Sequence, residues 1–405
     1  MTSPARVSLQ AFLATARRAL TAPPAQRQNP LTFVIGNESA DLDSLCSAVL
    51  LAYFRTQTPP HTLHIPLSNL PRADLTLRPE LGAVLRPAGL QPDDLLTLSD
   101  LPKDGLRPET TRWFLVDHNA PTGLLSSQFT SPSTSPPSDL LIGCIDHHED
   151  EGTIPSSSSP RTFAKCGSCM SLVIDHCRSA WDSLPSSTLE QTEISSQLAH
   201  LALGPILIDT NNLASSDKTT PLDIRAVEFA EAKISVSAGY DRTAYFDTIT
   251  RLKEDISSLN YRDVLRKDYK RWTDGGLVLG ISSVVQGFGY LTTESGSREE
   301  FLAELRKWAG EQGLDIAAVM TVSTPQGKFT RELMIWAFGE GSVKVAREFV
   351  KRDGEALGLE AWRGGEMDEL SKGEWRVCWM QRGLKHSRKQ VAPMLREAMK
   401  EGAKL

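Results

Sequence analysis

Five ionisable residues in a row follow a short apolar run in the first half of the chain. Asp146, His147 and His148 come directly after residues 140–145, and Glu149 and Asp150 follow them. Two imidazoles and a carboxylate can supply nitrogen and oxygen ligands to a metal ion, or an acid and a base to a reaction. The alternative interpretation is a solvated polar turn after a buried strand. This segment alone does not decide between the two.

Three further apolar runs also lead into aspartates. Residues 31–35 precede Asp41 and Asp43, residues 113–116 precede Asp117, and residues 206–208 precede Asp209. Continuous apolar runs are typical of strands buried on both faces of a parallel sheet, where ligands bind beyond the carboxyl ends of the strands. We therefore expect one rim to carry both histidines and the aspartates Asp41, Asp43, Asp117, Asp146 and Asp209. So many carboxylates repel each other unless cations lie between them, which predicts two divalent ions.

The elements that must position these residues alternate between strand and helix. A helix over about 41–54 follows the first strand, and it places Asp41 and Asp43 at a helix start, where the dipole favours negative charge. Further helices are predicted near 167–177 and 194–203, and a short strand at 64–67. After a linker near 236–248, strands are predicted at 277–284, 316–322, 333–338 and 375–380. Ser297 and Glu300 form a capping-box pattern for the helix that runs through Trp308.

Length and composition indicate an ordinary globular protein. The 405 residues predict two domains, which we place at 1–238 and 246–405. Hydrophobic residues make up 40% and charged residues 23%, and no apolar run is long enough to span a bilayer. The net charge of −6 argues against nucleic acid as the partner. We expect a monomer without a membrane partner.

Six scattered cysteines predict reduced thiols in a reducing compartment. Cys166 and Cys169 form a lone CxxC pair, and a zinc or redox role is disfavoured because no second pair lies at zinc-site spacing.

The N-terminal residues combine four arginines with no acid before Glu38, which resembles a transit peptide. Leu9, Phe12, Leu13 and Ala16 also mark one face of an amphipathic helix, the interpretation we favour. We therefore expect a cytoplasmic protein, with a mitochondrial location as the alternative. Two Ser/Pro-rich segments, 126–139 and 154–160, are predicted to be mobile surface insertions.

Together the motifs resemble those of the DHH phosphoesterase superfamily. Asp146-His147-His148 is the namesake motif, and residues 37–44, with the sequence NESADLDS, resemble the first motif of its fungal-type exopolyphosphatases. Residues 117–119 and 209–211 are similar to the second and fourth motifs. The segment 167–169 resembles a family segment after the third motif, which gives the CxxC pair a structural explanation.

The second half resembles the C-terminal DHHA2 domain, which occurs in exopolyphosphatases, family II inorganic pyrophosphatases and prune-like proteins. The basic segments 267–270 and 387–393 carry this resemblance, which covers roughly residues 30–400. It implies an α/β fold made of a parallel-sheet DHH domain and a smaller mixed α/β DHHA2 domain, with the active site in the cleft between them.

The resemblance also implies roles for individual residues. Asp117 matches a carboxylate that bridges two ions, Asp41 a ligand of one ion, and Asp43, His147 and Asp209 ligands of the other. His148 matches a residue that touches substrate phosphate and can act as the acid. The phosphate-binding groups of the second domain are matched by Lys270, Arg388 and Lys389.

Asn37 departs from the pyrophosphatase pattern, which has a metal-binding histidine at this position. An amide oxygen is a harder ligand than imidazole, so Mg²⁺ should gain over Mn²⁺ or Co²⁺. In the alternative interpretation, Asn37 only caps the turn and binds no metal. The substitution argues against a pyrophosphatase, but exopolyphosphatases and prune-like proteins share it.

The expected function is therefore that of an exopolyphosphatase, which releases terminal orthophosphate from linear polyphosphate. Two bound ions would activate water and neutralise the phosphoryl group, with Mg²⁺ the preferred ion and Mn²⁺ or Co²⁺ possible. The alternatives are a prune-like short-chain polyphosphatase, an inorganic pyrophosphatase, or a polyphosphate-binding protein without activity.

Overall fold

A computed structural model describes residues 7–102, 105–120, 140–184, 188–235, 239–371 and 373–402. The chain forms two compact units, residues 1–252 and residues 253–405, which are described separately.

The first unit is built on a five-stranded parallel sheet, which confirms the predicted α/β class. Its strands are β1 (Leu31–Ile35), β2 (His64–Leu67), β3 (Thr111–Val116), β4 (Leu141–Asp146) and β5 (Arg161–Phe163). They lie in the order β2-β1-β3-β4-β5, and every neighbouring pair is parallel. Because β1, β3 and β4 are neighbours, the segments after their carboxyl ends meet at one edge of the sheet, as predicted.

In the described residues of this unit the helices are α1 (Leu9–Thr21), α2 (Leu42–Gln57), α3 (Leu81–Leu85), α4 (Cys169–Asp182), α5 (Leu189–Asp209), α6 (Pro221–Glu231) and α7 (Arg242–Glu254). The predicted N-terminal helix is confirmed, because Leu9, Phe12, Leu13 and Ala16 are buried in the core of the first unit. The predicted linker at 236–248 is wrong for residues 242–248, which belong to α7.

The predicted strand before Asp209 is also wrong. Residues 206–208 belong to α5, a single helix of 21 residues that contains Pro205 and ends at Asp209. Residues 198–207 of this helix are all buried, and His200 is the one ionisable residue among them. A short apolar run of this kind has the same periodicity signature in a buried helix as in a buried strand.

The second unit contains a seven-stranded mixed sheet and five helices. The strands are β6 (Tyr269–Asp274), β7 (Leu277–Val284), β8 (Ile316–Ser323), β9 (Thr330–Phe338), β10 (Leu359–Ala361), β11 (Glu369–Ser371) and β12 (Glu374–Gln381). The helices are α8 (Tyr261–Lys267), α9 (Phe288–Thr293), α10 (Arg298–Glu311), α11 (Glu340–Leu357) and α12 (Arg388–Gly402). The four predicted strands are confirmed, and so is the capping box of Ser297 and Glu300 at the start of α10.

The sheet order is β10-β12-β9-β8-β7-β6, with β11 paired to β12. Only the β7–β8 pair is parallel. Residues of α11 and α12 pack on one face of this sheet, and residues of α8, α9 and α10 pack on the other.

One predicted insertion, 126–139, lies outside the described residues. The other, 154–160, packs against β4: Ile154 and Ser158 are buried, and the Ser158 hydroxyl donates to the carbonyl of Leu141 at 2.6 Å. Among the residues described, no helix combines the length and the apolar character needed to cross a bilayer.

Candidate active site

Asp117 lies at the centre of the candidate site, one residue after β3. Its φ of 60° is left-handed, a conformation that aspartate tolerates better than most residues. Carboxylate Oδ2 accepts hydrogen bonds from Asn37 Nδ2 at 2.8 Å and from Ser44 Oγ at 2.7 Å. Burial raises the pKa of Asp117, but the hydrogen bond and charge of His147 and the charge of His148 outweigh it and hold the pKa below its ordinary value. Asp117 is therefore an ionised, firmly oriented carboxylate.

His147 presents one particular nitrogen to Asp117. Its Nδ1 lies 3.1 Å from the carbonyl oxygen of Cys166, which can only accept, so Nδ1 carries the proton. The opposite nitrogen, Nε2, lies 3.2 Å from Asp117 Oδ1, and the imidazole is only 5% exposed. A carbonyl that fixes the tautomer in this way is the usual support of a metal-binding histidine.

His148 is oriented by Asp146. The Asp146 carboxylate is completely buried; its Oδ1 lies 2.8 Å from His148 Nδ1, and its Oδ2 accepts from Asn119 Nδ2 at 2.6 Å. Burial raises the pKa of Asp146, but the hydrogen bond and the charge of His148 lower it by more, so the pKa lies below its ordinary value. Asp146 thus holds the His148 ring through Nδ1, which leaves Nε2 of the same ring for chemistry.

Asp43 joins the start of α2 to the start of α4. Its Oδ2 accepts from the backbone N–H of Cys169 at 2.7 Å, and its Oδ1 accepts from Ser168 Oγ at 2.8 Å and from the N–H of Met170 at 2.9 Å. Despite these donors, burial and then the charges of Asp117 and Asp209 raise the pKa of Asp43 well above its ordinary value. Negative charge is therefore in excess at this edge of the sheet.

The donor set fits a divalent cation. One ligand atom each from Asp117, His147 and His148 lies within 4.8 Å of the other two. Oxygen and imidazole nitrogen together suit divalent ions, and a cation would offset the repulsion that raises the pKa of Asp43.

The other predicted ligands, Asp41, Asp43 and Asp209, fall outside this group of three within the described ranges. Asp41 is exposed and caps α2, where its Oδ1 accepts from the N–H of Ser44 at 3.1 Å. After burial and the charge of Asp117, the charges of Asp209 and Asp41 also raise the pKa of Asp43. Metal binding by Asp41, Asp43 and Asp209 stays a prediction.

Asn37 uses both ends of its amide. Its Oδ1 accepts from the backbone N–H of Ser39 at 2.8 Å and of Ala40 at 3.3 Å, while Nδ2 donates to Asp117. This is the arrangement expected of a turn cap, and metal binding by Asn37 stays a prediction. The neighbouring position 36 requires glycine because the backbone there lies close to Ser44. A Cβ at this position would be only 2.5 Å from Cβ of Ser44.

The two cysteines of the CxxC pair are buried and free. The Cys166 thiol lies 3.0 Å from the carbonyl oxygen of Ser168, and the Cys169 thiol lies 3.2 Å from that of Ile145. Burial raises the pKa of both thiols, which keeps them protonated and lets them donate to these carbonyls. These contacts support the structural explanation of the pair.

Two residues that brace the site have no clear sequence signal. Arg78 is buried and donates through Nε to the carbonyl of Ala40 at 3.1 Å and through Nη2 to that of Ser39, so it fixes the loop before Asp41. Asp223 is completely buried and accepts from the N–H of Gly167 at 2.9 Å and from Ser171 Oγ at 2.7 Å. Arg78 lies in a region of weak patterns, and Asp223 is predicted only as part of a helix start.

The basic residues predicted in the second unit lie near the start of α12 and of β6. Arg388 is the first residue of α12, and its Nη2 lies 2.7 Å from Asp268 Oδ1 while Nη1 donates to the Asp268 carbonyl at 3.0 Å. Lys270 lies two residues after Asp268, on β6, and Lys389 follows Arg388 as an exposed residue. Arg388 is therefore held in a fixed position, close in structure to the strand that carries Lys270.

Comparison with known families assigns both units. Residues 32–206 match the N-terminal domain of the DHH family, and residues 247–398 match the DHHA2 domain.

Several proteins of known name and several solved structures resemble the chain. A Schizosaccharomyces pombe protein named "Putative exopolyphosphatase" is 34% identical over 92% of this chain and 92% of its own length. The human protein "Exopolyphosphatase PRUNE1" is 27% identical over 73% of this chain and 61% of its own length. A "Manganese-dependent inorganic pyrophosphatase" of Methanothrix thermoacetophila is 32% identical over 33% of this chain and 40% of its own length. Among solved structures, a "putative family II inorganic pyrophosphatase" of Methanococcus jannaschii shares the fold, with a TM-score of 0.58 and 19% identity over 91% of this chain and 99% of that one.

The domain matches and the extended similarity to the Schizosaccharomyces pombe protein agree with the motifs at the ends of β1, β3 and β4. The chain therefore belongs to the DHH family, in the group whose members carry a C-terminal DHHA2 domain.

Proposed function

We propose that this protein is an exopolyphosphatase that hydrolyses the terminal phosphoric anhydride bond of linear polyphosphate. The observation that carries the proposal is the group of Asp117, His147 and His148, in a chain similar over nine-tenths of its length to a protein named as an exopolyphosphatase. Such a hydrolase must neutralise phosphoryl charge and supply a proton to the leaving group.

Pyrophosphate is the main competing substrate. Similarity to the manganese-dependent pyrophosphatase covers only a third of this chain, whereas similarity to the Schizosaccharomyces pombe protein covers nearly all of it. Asn37 also stands where pyrophosphatases of this family carry a histidine. These two observations favour polyphosphate over pyrophosphate, with a preference for short chains, as in prune-like proteins, as the second candidate.

We propose two divalent metal ions as the cofactor. Asp117 would lie between them, Asp41 would bind one ion, Asp43, His147 and Asp209 would bind the other, and Asn37 stays a candidate ligand. The raised pKa of Asp43 and the donor set of Asp117 and His147 support this assignment. When bound, such ions lower the pKa of water and neutralise phosphoryl oxygens, and Mg²⁺ is the ion we favour.

His148 would deliver the proton to the leaving phosphate oxygen. Asp146 engages Nδ1 of this ring and leaves Nε2 as the nitrogen that can face substrate, and the side chain is 27% exposed. A general acid needs a fixed orientation and access to the substrate, and the Asp146 contact and the partial exposure of the ring support this role.

Lys270, Arg388 and Lys389 would bind the phosphate groups. Arg388 can contact two phosphate oxygens through its planar fork, whereas each lysine acts as a point charge. The pairing of Arg388 with Asp268 supports its role, because it fixes the direction of the guanidinium before substrate arrives.

We further propose a monomer in a reducing compartment, the cytoplasm. In an oxidising compartment, each free thiol would be open to oxidation whenever the chain unfolds. The six free, buried cysteines therefore support a reducing compartment.

A substrate panel tests the function. Phosphate release is measured from pyrophosphate, tripolyphosphate and long polyphosphate, each with Mg²⁺ and with Mn²⁺. We expect the highest kcat/KM on a polyphosphate and loss of release when a chelator is added. Fastest turnover of pyrophosphate would point to the competing function, and binding of polyphosphate without phosphate release would identify a binding protein.

A further inference from the structure

Arg331, the second residue of β9, is a buried cation with most of its hydrogen-bonding capacity unused. The residue is 9% exposed, its Nε donates to the carbonyl oxygen of Leu384 at 2.7 Å, and its guanidinium lies 5.1 Å from the ring centre of Phe329. Across the described ranges, neither Nη1 nor Nη2 has a hydrogen-bond acceptor, and no carboxylate forms an ion pair with Arg331. The two Nη atoms are not among the enclosed side-chain atoms of the described residues, so an anion can reach them. An anion there would stabilise a charge that burial of the rest of the residue disfavours.

Arg376 on β12 provides an internal comparison, because its surroundings are otherwise similar. Its Nε also donates to one backbone carbonyl at 2.7 Å, that of Met367, and its guanidinium lies 4.3 Å from the ring centre of Trp336. Burial lowers the pKa of both arginines. Three carboxylates, those of Glu369, Glu374 and Asp368, oppose that shift at Arg376, whereas burial acts alone at Arg331. The half-buried Arg376 thus has carboxylates near it, whereas the more deeply buried Arg331 has none among the described residues.

Arg331 lies on the same face of the sheet as Lys270, three strands away from it. The registers place Lys270 level with Ile335, so Arg331 is four residues nearer the start of β9, a separation that a polyphosphate chain would have to span. Arg331 lies two residues before Leu333, whose side chain packs in the core beneath α11 and α12, so alternation along β9 directs Arg331 to that face. Lys270 lies two residues before Trp272, which packs against the same core, and it pairs in register with Ile281 of that core.

Arg331 is also tied to the segment that leads into the basic motif. Its hydrogen-bond partner Leu384 lies between the end of β12 and Arg388, the first residue of α12. Arg331 is therefore linked to Arg388 through the segment 382–387, while Lys270 shares only its face of the sheet.

We propose that Arg331 binds a phosphate group of the substrate through its two free Nη groups. The inference rests on the proposed function, and it adds a fourth cation to Lys270, Arg388 and Lys389. A guanidinium fork matches two oxygens of a phosphate, and charge-assisted contacts of this kind are the strong ones. Because Arg331 is held by Leu384 and Phe329 without substrate, little side-chain order is lost on binding.

The test is calorimetric titration of tripolyphosphate into the full-length protein, with a chelator present so that only the protein's own cations contribute. Arg331→Gln removes the charge and keeps a donor for the Leu384 carbonyl; we expect it to weaken binding at least about tenfold. Arg376→Gln is the matched control and should stay within about twofold of the natural protein. Melting temperatures of both variants show whether any loss follows from unfolding.

Equal affinity of Arg331→Gln and the natural protein would overturn the inference, and so would a natural protein that does not bind tripolyphosphate. If Arg331→Gln is poorly folded, Arg331→Lys decides: it keeps the charge but loses the fork, so unchanged affinity overturns the contact and reduced affinity supports it. Phosphate release is assayed separately. Tripolyphosphate binding that depends on Arg331 without any hydrolysis would refute the proposed function and leave this inference standing.

Discussion

The two units hold charges of opposite sign: the first unit buries acidic side chains, and the second unit holds arginines. In the first unit, Asp43, Asp117 and Asp146 are buried and each accepts at least two hydrogen bonds, yet burial and then the charges of Asp117 and Asp209 raise the pKa of Asp43. In the second unit, Arg388 has a carboxylate partner and Arg331 has none in the described part of the chain. Each unit thus carries a local charge that a ligand of opposite sign would stabilise: cations in the first and phosphate in the second.

The largest expected effect comes from removing the central acid of the first unit. Asp117→Ala deletes the acceptor of Asn37 and Ser44 and the carboxylate facing His147. We expect phosphate release to fall by at least about a thousandfold, more than the loss of a single transition-state donor. Steady-state release from polyphosphate measures it.

Asp150→Ala is the matched control for Asp117→Ala, because Asp150 follows the same motif but pairs with Arg161 at the surface. Its activity should be unchanged. Activity of Asp117→Ala close to that of the natural protein would show that the acidic group of the first unit is not the reaction centre.

The next largest effect is expected from the second unit. Arg388→Ala should lower turnover about a hundredfold, the usual cost of one preorganised donor to transition-state charge. Arg388→Lys should recover only part of it, because the fork is lost. Kinetics on long polyphosphate, with circular dichroism as the folding control, give both values.

Arg396→Ala is the control on the same helix. Arg396 makes a comparable ion pair, with its Nε 2.7 Å from Asp274 Oδ2, but it lies two turns further along α12. Its loss should change turnover by less than about twofold. Equal effects at Arg388 and Arg396 would mean that stability of α12, and not phosphate binding, is being measured.

A smaller effect is expected from the support of the first motif. Arg78→Gln loosens the carbonyls of Ser39 and Ala40 next to Asp41, so metal affinity should fall about tenfold, as is usual for residues that brace metal ligands. Calorimetric titration with Mn²⁺ measures it. Arg72→Gln, which loses an ion pair with Asp100 in the same region, should leave that affinity unchanged.

The smallest effect is expected at Asn37. Asn37→His adds an imidazole nitrogen and should raise the affinity for Mn²⁺ or Co²⁺ relative to Mg²⁺ by several-fold. The change is limited because Asn37 Oδ1 already caps the turn. A metal preference identical to that of the natural protein would assign Asn37 to the cap alone.

The strand ends that carry Asp117 and Asp146 could be predicted because each follows a short apolar run bounded by polar residues. The segment before Asp209 could not, since residues 198–207 of α5 are all buried and a short apolar run looks alike in a buried helix and a buried strand. Gly204 and Pro205 lie within this helix, where a Cβ on Gly204 would lie 2.8 Å from Val84 Cγ2.

Arg78 and Arg331 could not be predicted, because their significance depends on what surrounds them in space. Arg78 acts on a loop 38 residues earlier in the chain, and Arg331 differs from Arg376 in its deeper burial and in the lack of nearby carboxylates among the described residues. Neither property leaves a local pattern in the sequence. Buried arginines of this kind become visible only once their acceptors are known.

The carbonyl of Cys166 sets the tautomer of His147, and this has a consequence for how the position can vary. Every residue type offers the same carbonyl, so the control over His147 does not depend on which side chain stands at 166. Serine could replace the thiol contact to the Ser168 carbonyl and keep the backbone hydrogen bond to His147. We expect position 166 to accept substitutions that keep the course of the backbone, whereas we expect His147 to accept none.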